Sequence, residues 1–230
     1  MGVWLGWNLL YALPGDELVE YQKTLELIPL LRHLQPPLGL SHLSLERFSP
    51  YFMNRTQYGI ENLRPIGAYY GFLPEHADVA KIAYHFEGDY ESWSKASPQF
   101  MEKLEAEISN WRRAWESDGE LPSLAVSALD GDCYLLLDTR GVPGTKELNL
   151  LNADQARLVL TGVADSPQDL QWALDRKVMA LLDSRPVPLV TAELKLFQRF
   201  LDEARPRMGQ ATTSDVGNVS VSLAGQGRRP

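Results

Sequence analysis

The feature that most limits what this chain can fold into is its opening: an apolar run from Val3 through Leu13 that stops abruptly at Pro14-Gly15-Asp16. The run falls well short of the roughly 20 residues a membrane helix requires. It has no basic segment before it and no small-residue cleavage site after it, which argues against a signal peptide. Gly6 stands where a myristoylation signal wants Ser or Thr. The remaining reading is a strand buried on both faces, as in the middle of a parallel sheet. Such a strand needs neighbours on both sides, and almost nothing precedes this one, so a missing N-terminal portion is expected.

After the Pro-Gly turn, Asp16 and Glu17 suit the start of a helix, where acidic groups meet the positive end of the dipole. Leu18, Tyr21, Leu25, Ile28 and Leu31 follow at spacings of three and four, the stripe of a packed helix. Pro29 is expected to kink it or to begin a second segment, and Pro36-Pro37-Leu38-Gly39 stops it. Residues 42–48 alternate and read as the next strand. Residues 1–50 therefore spell strand, helix, strand: one right-handed parallel βαβ unit.

From 51 to 92 the chain is aromatic and irregular, with strands expected at 68–73 and near 82–87. Ser97-Pro98 makes a helix start, and Phe100, Leu104, Ile108, Trp111 and Trp115 form the clearest amphipathic stripe in the sequence. Asp118-Gly119 ends it. A second module then begins. Leu124–Leu129 and Cys133–Asp138 flank Asp130-Gly131-Asp132 and read as a hairpin. Helices are expected over 152–162, from Ser166-Pro167 to about Leu182, and over 192–204, with a short strand at 187–190. The expected organisation is a first domain over 1–118, a small α+β domain of winged-helix outline over 119–207, and a disordered tail over 208–230. That tail has four glycines, three charges and no aromatic residue, too little to form a core.

Charge and cysteine content exclude several functions. Lys and Arg number 22 against 30 Asp and Glu, a net charge of −8, the wrong sign for general affinity toward nucleic acid or anionic membrane. Residues 150–183 hold five Asp against three Lys or Arg, which disfavours a DNA-reading winged helix. The one cysteine, Cys133, rules out a disulfide framework and any multi-thiolate metal site. A cytoplasmic location fits this usage.

Three stretches carry a family likeness: Gly6-Trp7-Asn8-Leu9-Leu10-Tyr11-Ala12-Leu13-Pro14-Gly15-Asp16, then Leu34-Gln35-Pro36-Pro37, then Leu45-Glu46-Arg47-Phe48-Ser49-Pro50-Tyr51-Phe52. In order and spacing they resemble the later half of the radical S-adenosylmethionine maturases that modify ribosomally made peptides, in the cobalamin-dependent C-methyltransferase branch. Tyr58-Gly59, Leu63-Arg64-Pro65 and Ile82-Ala83-Tyr84-His85-Phe86 continue it. The likeness covers residues 2–90 well and 95–185 loosely. It implies an α/β fold: a partial (β/α) barrel remnant followed by the small α+β domain. It also implies S-adenosylmethionine, a [4Fe-4S] cluster, cobalamin and a precursor-peptide substrate. The departures are a missing CxxxCxxC motif, no cobalamin domain, Ala12 where the family usually has Gly, and Asp16 where it usually has Glu. The chain thus resembles the back end of such an enzyme, a truncated product or a split subunit awaiting a complementing N-terminal half. As a lone polypeptide it is expected to be inactive.

By this likeness Asn8, Tyr11, Pro14, Gly15 and Asp16 lie near S-adenosylmethionine, at the carboxyl end of a parallel strand where α/β folds place ligands. The alternative for the turn is a plain strand–helix connection. Arg47 and Ser49 leave the next strand at the same face. Arg47 points either into the barrel toward a carboxylate or cofactor, or outward as a solvated edge charge. Glu46 lies on the opposite face. His33, His42, His76 and His85 lack the spacing of a metal site and read as ordinary histidines, Cys133 reads as a small buried hydrophobe, and no catalytic residue is identifiable. A second function stands beside the first: the 120–205 module as a leader-peptide binder, using its hairpin edge for strand addition.

Overall fold

The computed structural model describes residues 5–208 of the chain, with the side chains of 206–208 left out. The expected tail from 209 onward lies outside the described residues. The chain is mixed α/β and divides into two compact units. One comprises residues up to Ser123 together with Asp138–Pro143, and the other Leu124–Leu137 together with the chain from Gly144. Among the described residues no helix is long and apolar enough to cross a membrane.

The first unit opens with β1 (Leu9–Tyr11), α1 (Leu18–Leu31) and β2 (Leu40–His42), and β1 pairs parallel with β2 in the register Leu9↔Leu40, Leu10↔Ser41, Tyr11↔His42. This is the βαβ order read from the sequence, with two corrections. The opening strand is three residues long and is not buried on both faces, because Leu10 is 50% exposed. Pro29 does not divide α1, which is continuous from Leu18 to Leu31. It sits in the last turn, where a lost N–H removes one bond close to the helix end.

The strand expected over 42–48 splits in two. The N–H of Leu43 donates to the carbonyl of Tyr11, ending the parallel ladder. The chain then turns through Ser44 into β3 (Leu45–Glu46), which belongs to a different sheet. There follow α2 (Pro50–Met53), β4 (Glu61–Pro65), α3 (Tyr69–Phe72), α4 (Val79–Ile82), β5 (His85–Asp89) and α5 (Pro98–Glu116). The expected strand at 68–73 is therefore the helix α3, and the one near 82–87 begins three residues late. Aromatic residues favour strands only where they have cross-strand neighbours. Tyr69 instead closes a helical turn and offers its hydroxyl to the N–H groups of Tyr84 and His85.

β3, β5 and β4 form an antiparallel sheet in that order, over a core of Leu45, Ile60, Ala83 and Phe86. Gly88 is required there, since a Cβ would come within 2.7 Å of Ile60 Cγ2. A separate core joins α1 to α5 through Tyr21, Ile28, Met101, Leu104, Ile108 and Trp111, with Trp7, Leu9, Tyr11 and Leu40 packed against it. Each fully buried aliphatic side chain contributes about 2 kcal/mol. Trp111 and Trp115 also donate their indole N–H groups to the carbonyls of Leu34 and Arg32.

In the second unit, β6 (Leu124–Ala128) and β7 (Tyr134–Asp138), whose last residue counts with the first unit, lie side by side around the Asp-Gly-Asp turn. They are followed by β8 (Leu148–Leu151) and α6 (Ala153–Thr161). Asn152 and Gln155 form a reciprocal capping box, and Gly162, at φ +76, ends the helix. Next come α7 (Pro167–Asp175), capped by Ser166, then β9 (Met179–Leu182), β10 (Arg185–Pro188), β11 (Thr191–Ala192) and α8 (Leu194–Met208). The helix expected to reach Leu182 thus ends at Asp175. Asp183 and Ser184 both take positive φ, the geometry of a two-residue hairpin turn, and this folds 185–188 back onto 179–182. The larger sheet runs β11-β6-β7-β8, and Tyr134 on its buried face meets Phe200 of α8 at 5.4 Å between ring centroids.

Candidate functional site

The carboxyl end of β1 is closed by a small polar network. Ala12 is fully buried with φ +60, a left-handed conformation that glycine adopts more easily. Its N–H donates to Ser94 Oγ (2.8 Å), and its carbonyl accepts from the Tyr90 hydroxyl (2.8 Å). Ser94, 2% exposed, donates in turn to Asp16 Oδ2 at 2.5 Å, and the Tyr21 hydroxyl donates to the same oxygen at 2.5 Å. The Gly15 N–H reaches the carbonyl of Glu91. One carboxylate thereby ties the β1–α1 turn to the loop that leads into α5. Burial pulls the Asp16 carboxyl upward, but the hydrogen bonds from Ser94, Tyr21 and Ser92 outweigh it and hold the group below its ordinary value. Tyr21 is pushed up to about 12, by burial first and then by its bond to Asp16. Tyr90 is likewise pushed up to about 12, by burial and then by the charge of Asp16.

Three cavities of about 470, 700 and 480 Å³ share one lining residue, Lys95. Its ammonium lies 3.4 Å from the centre of the Tyr90 ring, a cation–π contact. Burial lowers its pKa, against the opposing pull of Asp89 and Asp16. His42 borders two of these cavities, and its ring meets Tyr11 edge-on at 5.4 Å. His42 Nδ1 is 2.7 Å from the carbonyl of Leu43, which can only accept, so Nδ1 is the donor in this bond. The arrangement therefore offers a ligand one cation and one imidazole ring beside aromatic walls.

The sequence-derived candidates divide into two groups. Tyr11, Gly15 and Asp16 line these cavities, and Pro14 shapes the turn between them. Asn8 is exposed just ahead of β1. Arg47 and Ser49 lie apart. The Arg47 guanidinium donates to the carbonyls of Ala83 and Ala80 and rests on the rings of Phe86 and Phe52. It is neither aimed at a carboxylate nor free in solvent. Ser49 caps α2, its hydroxyl accepting from the Phe52 N–H. Sequence reasoning missed Ser94, Lys95, Tyr90 and His42. The signal in hand was the dense polar and aromatic run Tyr90-Glu91-Ser92-Trp93-Ser94-Lys95 just before a helix cap.

An iron–sulfur cluster does not fit these residues. Cys133 is the sequence's only thiol, and no group of three or more His, Cys, Asp or Glu able to hold a metal occurs among the described residues. Asp16 Oδ2 is occupied by the Ser94 and Tyr21 hydroxyls, and Oδ1 takes only a long contact from the Ser94 N–H. No family model, curated protein or solved structure matches this chain.

Proposed function

We propose that this chain is the cluster-free C-terminal portion of a radical S-adenosylmethionine system that C-methylates a ribosomally made peptide, acting only when joined to a partner that carries the CxxxCxxC motif and the cobalamin domain. The observation that carries this reading is the state of the β1–β2 sheet. Trp7, Leu9 and Tyr11 turn their backbone groups toward β2, so those of Asn8 and Leu10 face the opposite edge, where they have no partner among the described residues. Beyond them the same edge is plugged at Ala12 by Ser94 and Tyr90. A two-stranded parallel sheet with one open face is not stable by itself. An added strand pairing with Asn8 and Leu10 supplies what is lacking. Ala12 gives further support: its left-handed backbone is the conformation that the family's usual glycine takes without strain.

The test is to read the DNA flanking the coding sequence for a CxxxCxxC reading frame and to co-express its product with this chain and the precursor peptide; no such frame nearby counts against the reading. The expected result is a stable complex and a methyl-sized gain in peptide mass that needs both proteins. The reading fails if the partner modifies the peptide equally well without this chain.

The expected hairpin edge is not free, because β11 lies against β6 and β8 against β7; a second reading, a leader-peptide-binding module in the second unit, draws instead on β8. That strand is a sheet edge whose Leu148 and Leu150 are 59% and 68% exposed, a template for strand addition. The succession α6, α7 and the β9–β10 hairpin has winged-helix order and supports the same module. Titrating a labelled leader peptide onto the full chain tests it: Leu150→Lys should weaken a saturable signal, and absence of binding removes the reading.

A further inference from the structure

Ser44 lies in the exposed bend between β2 and β3, and its Oγ is 3.2 Å from Nδ1 of His85, 41 residues away at the start of β5. The His85 ring is held behind it. The residue is half-buried, its ring meets Tyr84 edge-on at 5.2 Å, and its backbone N–H donates to the Tyr69 hydroxyl. Ser44 also lines the cavity of about 470 Å³ that it shares with His42, Arg64 and Lys95. A serine hydroxyl becomes a useful nucleophile when a base within hydrogen-bond reach accepts its proton, and nearby cations stabilise the oxyanion that forms on attack. Nucleophile and base are brought together here from two separate stretches of chain, beside a cavity that the nucleophile lines; Arg64 on its wall is paired with Glu87 and Asp89, which leaves the Lys95 ammonium as the cation not paired to a carboxylate there.

We propose that Ser44 and His85 form a nucleophile–base dyad that accepts an acyl group from an ester or thioester bound in this cavity. Ser44 Oγ bonds to the acyl carbon while its proton moves to His85 Nδ1. The bond from that carbon to the leaving oxygen or sulfur breaks, and His85 returns the proton to the leaving group. Water then repeats the sequence on the acyl-serine and releases the acid. His85 Nε2 keeps its proton throughout and has no carboxylate to brace it among the described residues, so the acyl-serine should turn over slowly and accumulate. The dyad is independent of the partner-dependent role argued above.

The experiment treats the full chain with a fluorophosphonate probe and maps the adducts by peptide mass spectrometry. The expected result is selective labelling of Ser44 over the exposed Ser109 and Ser127, lost in Ser44→Ala and reduced about a hundredfold in His85→Gln, the low end of a general base's contribution. A circular-dichroism spectrum and melting curve of His85→Gln that match the unmodified protein separate loss of the base from loss of the fold. Adducts spread evenly over exposed serines, or Ser44 labelling undiminished in a folded His85→Gln, would overturn the proposal.

Discussion

Replacing Ser94 by Ala tests how the carboxyl end of β1 is held. One hydroxyl accepts from the buried Ala12 N–H at 2.8 Å and donates to Asp16 at 2.5 Å. Its removal strands that N–H, at a cost of about 1–3 kcal/mol, and deletes a charge-assisted bond of about 1.5–3 kcal/mol. The two losses share one atom and are not additive, so about 3 kcal/mol is the expected total. For a unit of this size that is a melting-temperature drop of roughly 6–12 °C. Urea unfolding followed by tryptophan fluorescence reports mainly the first unit, because Trp7, Trp93, Trp111 and Trp115 lie in it and Trp172 lies in the second; Trp172→Phe removes that contribution.

Acid supplies an internal control. The Asp16 carboxyl is held below its ordinary value, so its stabilisation is full above the ordinary carboxylate pKa and vanishes as pH falls through the lowered one. The gap between wild type and Ser94→Ala should narrow toward acid, leaving the share owed to the stranded Ala12 N–H. A loss below about 0.5 kcal/mol at neutral pH, the scatter of an ordinary surface substitution, would refute the reasoning.

Three further outcomes are expected. The Asp138–Arg140 pair, with side chains 2% and 0% exposed, also holds the carbonyl of Leu30; Arg140→Met should cost about 3–5 kcal/mol in urea unfolding, because it takes the bidentate guanidinium away from a buried carboxylate. Phe48 sits at φ +71 with its ring 74% exposed, so Phe48→Gly should raise stability by about 0.5 kcal/mol, the strain relieved less glycine's entropy, while Phe48→Ala should not. In alkaline titration followed by ultraviolet absorbance, Tyr21 and Tyr90 should ionise last, near 12 rather than 10; their stabilisation is full below the ordinary phenol value and lost as pH rises through the raised one, so the first unit should unfold in that window.

What the sequence made legible was local. The Val3–Leu13 run and its Pro-Gly stop announce a strand and turn, and the spacing from Phe100 to Trp115 announces a helix, because each pattern is complete within one segment. Strand partnership was not legible. Residues 42–48 alternate like one strand, yet Leu43 is claimed by Tyr11 while Leu45 is claimed by Phe86. Met179–Leu182 reads as the end of a helix until Asp183-Ser184 is seen to turn the chain back. The site behaves likewise. Gly15 and Asp16 could be singled out from their turn, but Ser94 completes them from 78 residues away, and no local pattern encodes that pairing. Arg47 alternates with apolar neighbours as a barrel-facing residue would, but it is satisfied by backbone carbonyls exposed at the last turn of α4.

The most direct test of the account is amide hydrogen exchange at Leu9 and Leu10, in the chain alone and in the presence of the cluster-bearing partner. The Leu9 N–H is bonded to the carbonyl of Gly39 and the Leu10 N–H faces the open edge. The account predicts protection of Leu9 in both states and of Leu10 only when the partner's strand is in place. Leu10 protected in the chain alone, or still fast to exchange in the presence of the partner, would contradict it.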